Sequence, residues 1–153
     1  MLIDFVETDM GVLGLMAVHL FEVYVADSVL AEVNALTPAV ADSLGLKRVS
    51  PTVQELQEAA QRGGPLSSRD RLCLVLARNR RWGCLTNDQA LRRVCGENDI
   101  PVIWGLQVLL LLHEKGFLAK KRALQTAHAI HRQNPRHIHA GILALFEEKL
   151  ALL

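Results

Sequence analysis

The stretch from Leu66 to Leu91, L-S-S-R-D-R-L-C-L-V-L-A-R-N-R-R-W-G-C-L-T-N-D-Q-A-L, constrains the fold more than any other part of the chain. It reads as an amphipathic helix from about Ser68 to Asn79 with Asp70 at its start, then a short apolar strand, Gly83 to Thr86, with a second acid, Asp88, just past its end. In an open α/β sheet the chemistry collects beyond the carboxyl ends of the strands, so Asp88 stands where a site belongs. A helix that begins beside that strand end brings Asp70 to the same crevice. Two carboxylates facing one crevice repel each other unless protonated or bridged by a cation. Hard oxygen ligands of this kind suit magnesium or manganese.

The remaining segments supply a layered domain around this stretch. Met1 to Ile3 reads as the tail of a strand that stops at Asp4, and Met10 to Leu20 carries a helical stripe. Phe21 to Ala26 alternates and is rich in β-formers, which predicts a strand. A helix capped by Asp27 or Ser28 then runs to about Leu36, with Val29, Leu30 and Val33 on its buried face and Glu32 beside it. A short helix, Ala39 to Leu44, stops at Gly45, and Leu46 to Val49 is another strand. Ser50-Pro51 opens a helix to Gln61, and Arg62-Gly63-Gly64-Pro65 is the clearest break in the chain. After the central stretch come a helix from Gln89 to about Cys95, a strand from Ile100 to Trp104, and a helix from Leu106 to Glu114 closed by Gly116. Strands alternating with helices imply a parallel sheet with right-handed crossovers. The tail differs, because Leu118 to Arg132 and Arg136 to Leu150 are helical in pattern with no strand between them. They form a helical pair packed on the sheet domain or on a partner.

Bulk properties narrow the classes. A chain of 153 residues that is 50% hydrophobic holds one domain with a real core. A net charge of +1 gives no overall basic field, so any nucleic-acid contact must come from local patches. Cys73, Cys84 and Cys95 are odd in number, lack metal-ligand spacing and lie in apolar segments, as reduced core cysteines do. The N-terminus lacks the positive region of a signal peptide, and the longest apolar run, Val102 to Leu112, is too short to span a bilayer. The expected location is cytoplasmic, with no membrane partner.

Taken in order, V-L-A-E-V (Val29 to Val33), L-S-S-R-D-R-L-C-L (Leu66 to Leu74), L-T-N-D-Q-A-L (Leu85 to Leu91) and the closing I-P-V-I-W-G-L resemble the PIN-domain family across roughly the first 115 residues. The resemblance implies an α/β fold of three layers, a central parallel sheet with flanking helices over residues 1–116, extended by the C-terminal helical pair of residues 117–153. It also implies a divalent-metal-dependent endoribonuclease, using Mg2+ or Mn2+ to cut RNA, of the kind that serves as the toxin of a toxin–antitoxin pair. By the resemblance Glu32, Asp70 and Asp88 fall on three of the family's four acidic positions, and Thr86 matches the threonine two residues before the last acid. Thr86 and Asn87 would support the site by hydrogen bonds. The front departs from the pattern. Leu2-Ile3-Asp4 aligns with a segment that follows the family's first aspartate, which places that acid upstream of Met1; alternatively Asp4 itself is the first acid, on a strand of three residues. The first alignment implies a chain that is truncated, carries a wrong start, or descends from an enzyme that lost a key ligand.

Plainer roles compete for each residue. Ser67-x-x-Asp70 is also a capping box, Asn87 or Asp88 can cap the next helix, Glu32 can be a solvated helix acid, and Asp4 a helix-entry residue. The clusters Arg78, Arg80 and Arg81, Arg92 and Arg93, and Lys120, Lys121 and Arg122 read as solvated faces, of which a few become phosphate contacts if RNA binds. Trp82 and Trp104 read as core rim, and His128, His131, His137 and His139 lack the ligand pattern of a zinc site. The leading expectation is the metal-dependent ribonuclease with a small antitoxin as partner. The alternative is a catalytically impaired PIN-like domain that binds RNA or protein, with a homodimer as one form. A small phosphohydrolase or receiver-like domain ranks third.

Overall fold

The computed structural model describes residues 1–61 and 64–153; Arg62 and Gly63, half of the Arg62 to Pro65 break, lie outside them. The chain is mixed α/β and mostly helical. Ten helices and four strands are described: α1 (Leu2–Thr8), α2 (Gly11–His19), β1 (Tyr24–Ala26), α3 (Asp27–Leu30), α4 (Pro38–Ser43), β2 (Lys47–Val49), α5 (Val53–Ala60), α6 (Ser68–Arg80), β3 (Cys84–Leu85), α7 (Gln89–Glu97), β4 (Val102–Ile103), α8 (Gly105–Glu114), α9 (Lys120–Gln133) and α10 (Ala140–Leu152). No helix of the described residues is long and apolar enough to cross a membrane.

The expected continuous central sheet is not what forms. β1 pairs with β2 and β3 pairs with β4, each in parallel, and among the described residues no ladder joins the two pairs. The reason lies at the front of the chain. Met1 to Ile3 is not the tail of a strand, because Leu2, Phe5 and Val6 repeat at helical spacing and α1 lays them against the main core, with Phe5 wholly buried. An apolar triplet is too short to reveal its period. The space between β1 and β3 therefore holds a cleft of about 490 Å³ rather than a strand.

Two other boundaries shift for local reasons. Instead of one helix to Leu36, α3 ends at Leu30 and the chain continues in tight turns, with Val33 donating to the Leu30 carbonyl at 3.1 Å and Leu36 to that of Val33 at 2.8 Å. Three-residue turns repeat Leu30, Val33 and Leu36 toward the core as well as an α-helix does. Ser50 does not cap α5, because its hydroxyl donates to the Asp27 carboxylate. Thr52 caps it instead: its Oγ1 accepts from the Glu55 amide at 3.2 Å while Glu55 Oε2 accepts from the Thr52 amide at 2.8 Å.

The main core joins α1, α2, α8, α9 and α10 to β1, with Leu13, Met16, Val108, Leu109, Leu112 and Ile130 all fully buried. The C-terminal pair thus packs on its own chain, α9 against α1 and α8, and α10 against α8. His131 Nδ1 lies 2.6 Å from the Ile138 carbonyl and fixes the turn between α9 and α10. A second, smaller core seals α6, α7, β3 and the entry to β4 around Cys84, Leu91 and Cys95.

Candidate functional site

The first acid of the chain is buried and fully engaged. Asp4, 6% exposed, receives the Met1 amine at 3.0 Å, Asn87 Nδ2 at 2.8 Å and Asn134 Nδ2 at 2.9 Å. Asn87 turns its other end to accept the Gly105 amide at 2.8 Å. The approach is close, because a Cβ on residue 105 would stand 3.1 Å from Asn87 Nδ2 and press on it. Burial pushes the Asp4 carboxyl up, but the charge of the Met1 amine and the donors Asn134 and Asn87 outweigh it and hold the group below its usual 3.8.

Beside this network stands the end of β3. Thr86 donates its amide to the Ile103 carbonyl at 3.1 Å, which continues the β3–β4 ladder, and its hydroxyl accepts from the Asp88 amide at 3.0 Å. Asp88 caps α7, its Oδ1 accepting from the Leu91 amide at 2.8 Å, and its Oδ2 lies 3.8 Å from His137 Nδ1. Asp4, Thr86, Asn87 and Asp88 are therefore brought to one place, the carboxyl end of β3.

Glu32 and Asp70 have separate occupations. Glu32, in the turns after α3, is ion-paired with Arg69 in the first turn of α6. Ser67 caps α6, its Oγ accepting from the Asp70 amide at 3.1 Å and donating to Asp70 Oδ2 at 2.6 Å. Burial first and then the charge of Asp70 push the Cys73 thiol up to about 11. Among the described residues no group of three or more His, Cys, Asp and Glu side chains is placed to hold a metal ion.

The sequence reading missed a basic cleft. Arg92 and Arg93 of α7 meet Arg136, His137 and His139 of the α9–α10 turn around a cavity of about 520 Å³ floored by Trp104. The Arg92 guanidinium lies 3.5 Å from the Trp104 ring centroid, and its Nε is buried with no hydrogen-bond partner among the described residues. Burial pulls Arg92 below its ordinary 12.5, against the pull of Asp88. The indole attracts the Arg92 cation and holds it at the cleft, and a guanidinium so held can pair its remaining N–H groups with a phosphate.

Comparison with protein-family models, curated proteins and solved structures gives no match to this chain.

The one sequence signal for the cleft was the pair Arg92-Arg93 itself, read as a solvated face. Arg136, His137 and His139 lie more than forty residues further along the chain, and only the packing of the α9–α10 turn brings them there. The two histidines of α9 have protein partners: His131 as above, and His128 with Nε2 at 2.8 Å from Glu147.

Proposed function

We propose that this chain is a PIN-like RNA-binding domain whose acidic residues brace the fold and whose basic cleft takes the RNA phosphates. The observation that carries this reading is the cleft itself: three arginines from two distant segments, Arg92 with a buried unpartnered donor and Asp88 near it, and Arg93 paired with Glu97 at 3.8 Å. Such a concentration of guanidinium groups suits phosphate oxygens, which accept planar pairs of N–H donors. Small net charge overall fits binding through one patch rather than through a general field.

The second reading, a divalent-metal-dependent endoribonuclease acting as a toxin, is favoured by the meeting of Asp4, Asn87 and Asp88 at the end of β3. The separate engagement of Glu32 with Arg69 and of Asp70 with Ser67 counts against it. An antitoxin protein or a second copy of the chain as partner enters this proposal through the family resemblance alone.

Fluorescence anisotropy with a labelled single-stranded RNA, repeated over a salt series, tests the binding reading. With about three phosphates neutralised, log affinity should fall against log salt with a slope near −2. Arg92→Ala with Arg136→Ala should weaken binding at least tenfold and flatten that slope. Equal affinity in the double variant would overturn the assignment. Cutting of the same RNA with manganese, abolished in Asp88→Asn, would move the function to hydrolysis.

A further inference from the structure

The basic cleft has two unlike neighbours. On one side its floor residue Trp104 and the α10 residue Ile142 also line a second cavity, of about 620 Å³, between α8 and α10. Past these two shared residues the lining is mostly apolar, with Leu106, Leu110, Leu145 and Phe146. Gln107, the polar side chain nearest Trp104 in sequence, has its Oε1 turned back to the Trp104 amide at 3.5 Å. The charged residues of that groove, Glu114 and Lys149, are opposite in sign, and Lys149 stands about two helical turns beyond Ile142. Phosphates running that way would first cross apolar surface.

The other neighbour is cationic, because the turn that carries Arg136 continues from α9. Lys121, Gln125, His128 and Arg132 recur on that helix at intervals of four, three and four residues, so they form one stripe, and they border a cavity of about 540 Å³. From Lys121 to Arg132 the stripe is about 16 Å long. Glu147 of α10 meets it at His128. A polyanion laid along α9 thus finds cations up to the cleft and apolar side chains after it. A strand that stops in the cleft presents its end.

The donors in the cleft suit such an end. An internal phosphodiester has two free oxygens and a single charge, whereas a terminal phosphate has three acceptor oxygens and a charge of about −1.5 to −2 near pH 7. Arg92, Arg93 and Arg136 bring three guanidinium forks to one cavity, and Gln89 adds a neutral amide. Asp88, near Arg92 and 3.8 Å from His137 Nδ1, and Glu97, 3.8 Å from Arg93, offset part of that charge. α10 also begins here: His139 is its N-cap and makes no capping hydrogen bond, so the positive end of the helix adds to the arginines.

We infer that the cleft holds the terminal phosphate of an RNA strand whose following phosphates lie along the α9 stripe. This rests on the RNA-binding reading above and adds to it which part of the strand the cleft recognises.

The test uses one short RNA sequence in three forms, with a 5′-phosphate, with a 3′-phosphate, and with hydroxyls at both ends. Each displaces an internally labelled RNA from the full chain at pH 7.5, followed by fluorescence anisotropy. At least one phosphorylated form should bind fivefold or more tightly than the hydroxyl form, and the form that gains identifies the end. Arg136→Ala, at an exposed side chain, should remove that gain. Lys121→Ala with Arg132→Ala should weaken all three forms by a common factor and keep it. A smaller gain in the unaltered chain, a gain that Arg136→Ala retains, or one that the α9 variant loses would overturn the end assignment while RNA binding stands. Failure of all three forms to bind would overturn the RNA-binding reading itself, and the end assignment with it.

Discussion

Removing the Asp4 carboxylate should cost the fold more than any other single polar change. Asp4→Ala leaves the Met1 ammonium and the Asn87 and Asn134 amides facing a void, and the Met1 and Asp4 side chains are only 4% and 8% exposed. Breaking a buried ion pair at one end typically costs about 3–5 kcal/mol. Asp4 is buried but Met1 as a whole is only partly so, which sets the working figure at the low end, about 3 kcal/mol. For a chain of this size that lowers Tm by about 6–12 °C. Asp4→Asn keeps the shape and one acceptor, and should lose about 2 kcal/mol. Urea unfolding followed by circular dichroism reads both values. The pH dependence has a definite sign: the folded carboxyl titrates below its unfolded value of 3.8, so its contribution is present above that pH and fades as pH falls through the folded value. A loss under 1 kcal/mol for Asp4→Ala, or a gain for Asp4→Asn, would refute the bracing role and favour Asp4 as a ligand of the acidic site.

Three further outcomes follow from the same geometry. Glu55, held down to about 2 by the two Arg80 hydrogen bonds and the Thr52 amide, should make the chain lose stability as pH drops from 4.5 toward 2, and Glu55→Gln, which keeps the cap, should abolish that loss in an acid titration while costing about 1 kcal/mol at neutral pH through the lost charge pairing with Arg80. Cys73 at about 11, with Cys84 and Cys95 also pushed up by burial, should react with a thiol reagent at pH 8 only after denaturant is added. Rapid labelling of all three in the native chain would contradict the second core. Leu112→Ala, at a fully buried site in the main core, should cost about 2–5 kcal/mol in urea unfolding.

What could be read from the sequence was whatever repeats locally. α2, α6, α7 and α8 fall where their stripes place them, Gly45 and Gly116 close their helices with positive φ of 78° and 80°, and Ser67 and Asp88 cap as their chemistry predicts, while α2 starts after Met10 with no side-chain cap from Thr8 or Asp9. Three-residue signals were not legible. Leu2-Ile3 fits a strand tail as well as the first turn of a helix, and Leu30, Val33 and Leu36 share their spacing between an α-helix and successive turns. The site suffered from the same limit at longer range. Four of its named residues meet at the end of β3, yet which acids pair with which cations depended on Arg69 reaching Glu32 and on Asn134 folding back to Asp4 across 130 positions. No periodicity encodes such partners, nor the arrival of Arg136 beside Arg92.

The Tyr24–Trp82 stack carries a consequence for how the two ladders can be watched. Lys47 lies 5.6 Å from the centre of the tyrosine ring and Arg80 5.2 Å from that of the tryptophan, so both rings of the stack carry a cation. The contact joins β1 to the entry of β3 through side chains and not through a ladder. Since Tyr24 is the chain's sole tyrosine, that contact has a built-in optical signal, its emission passing to the stacked indole in the folded chain.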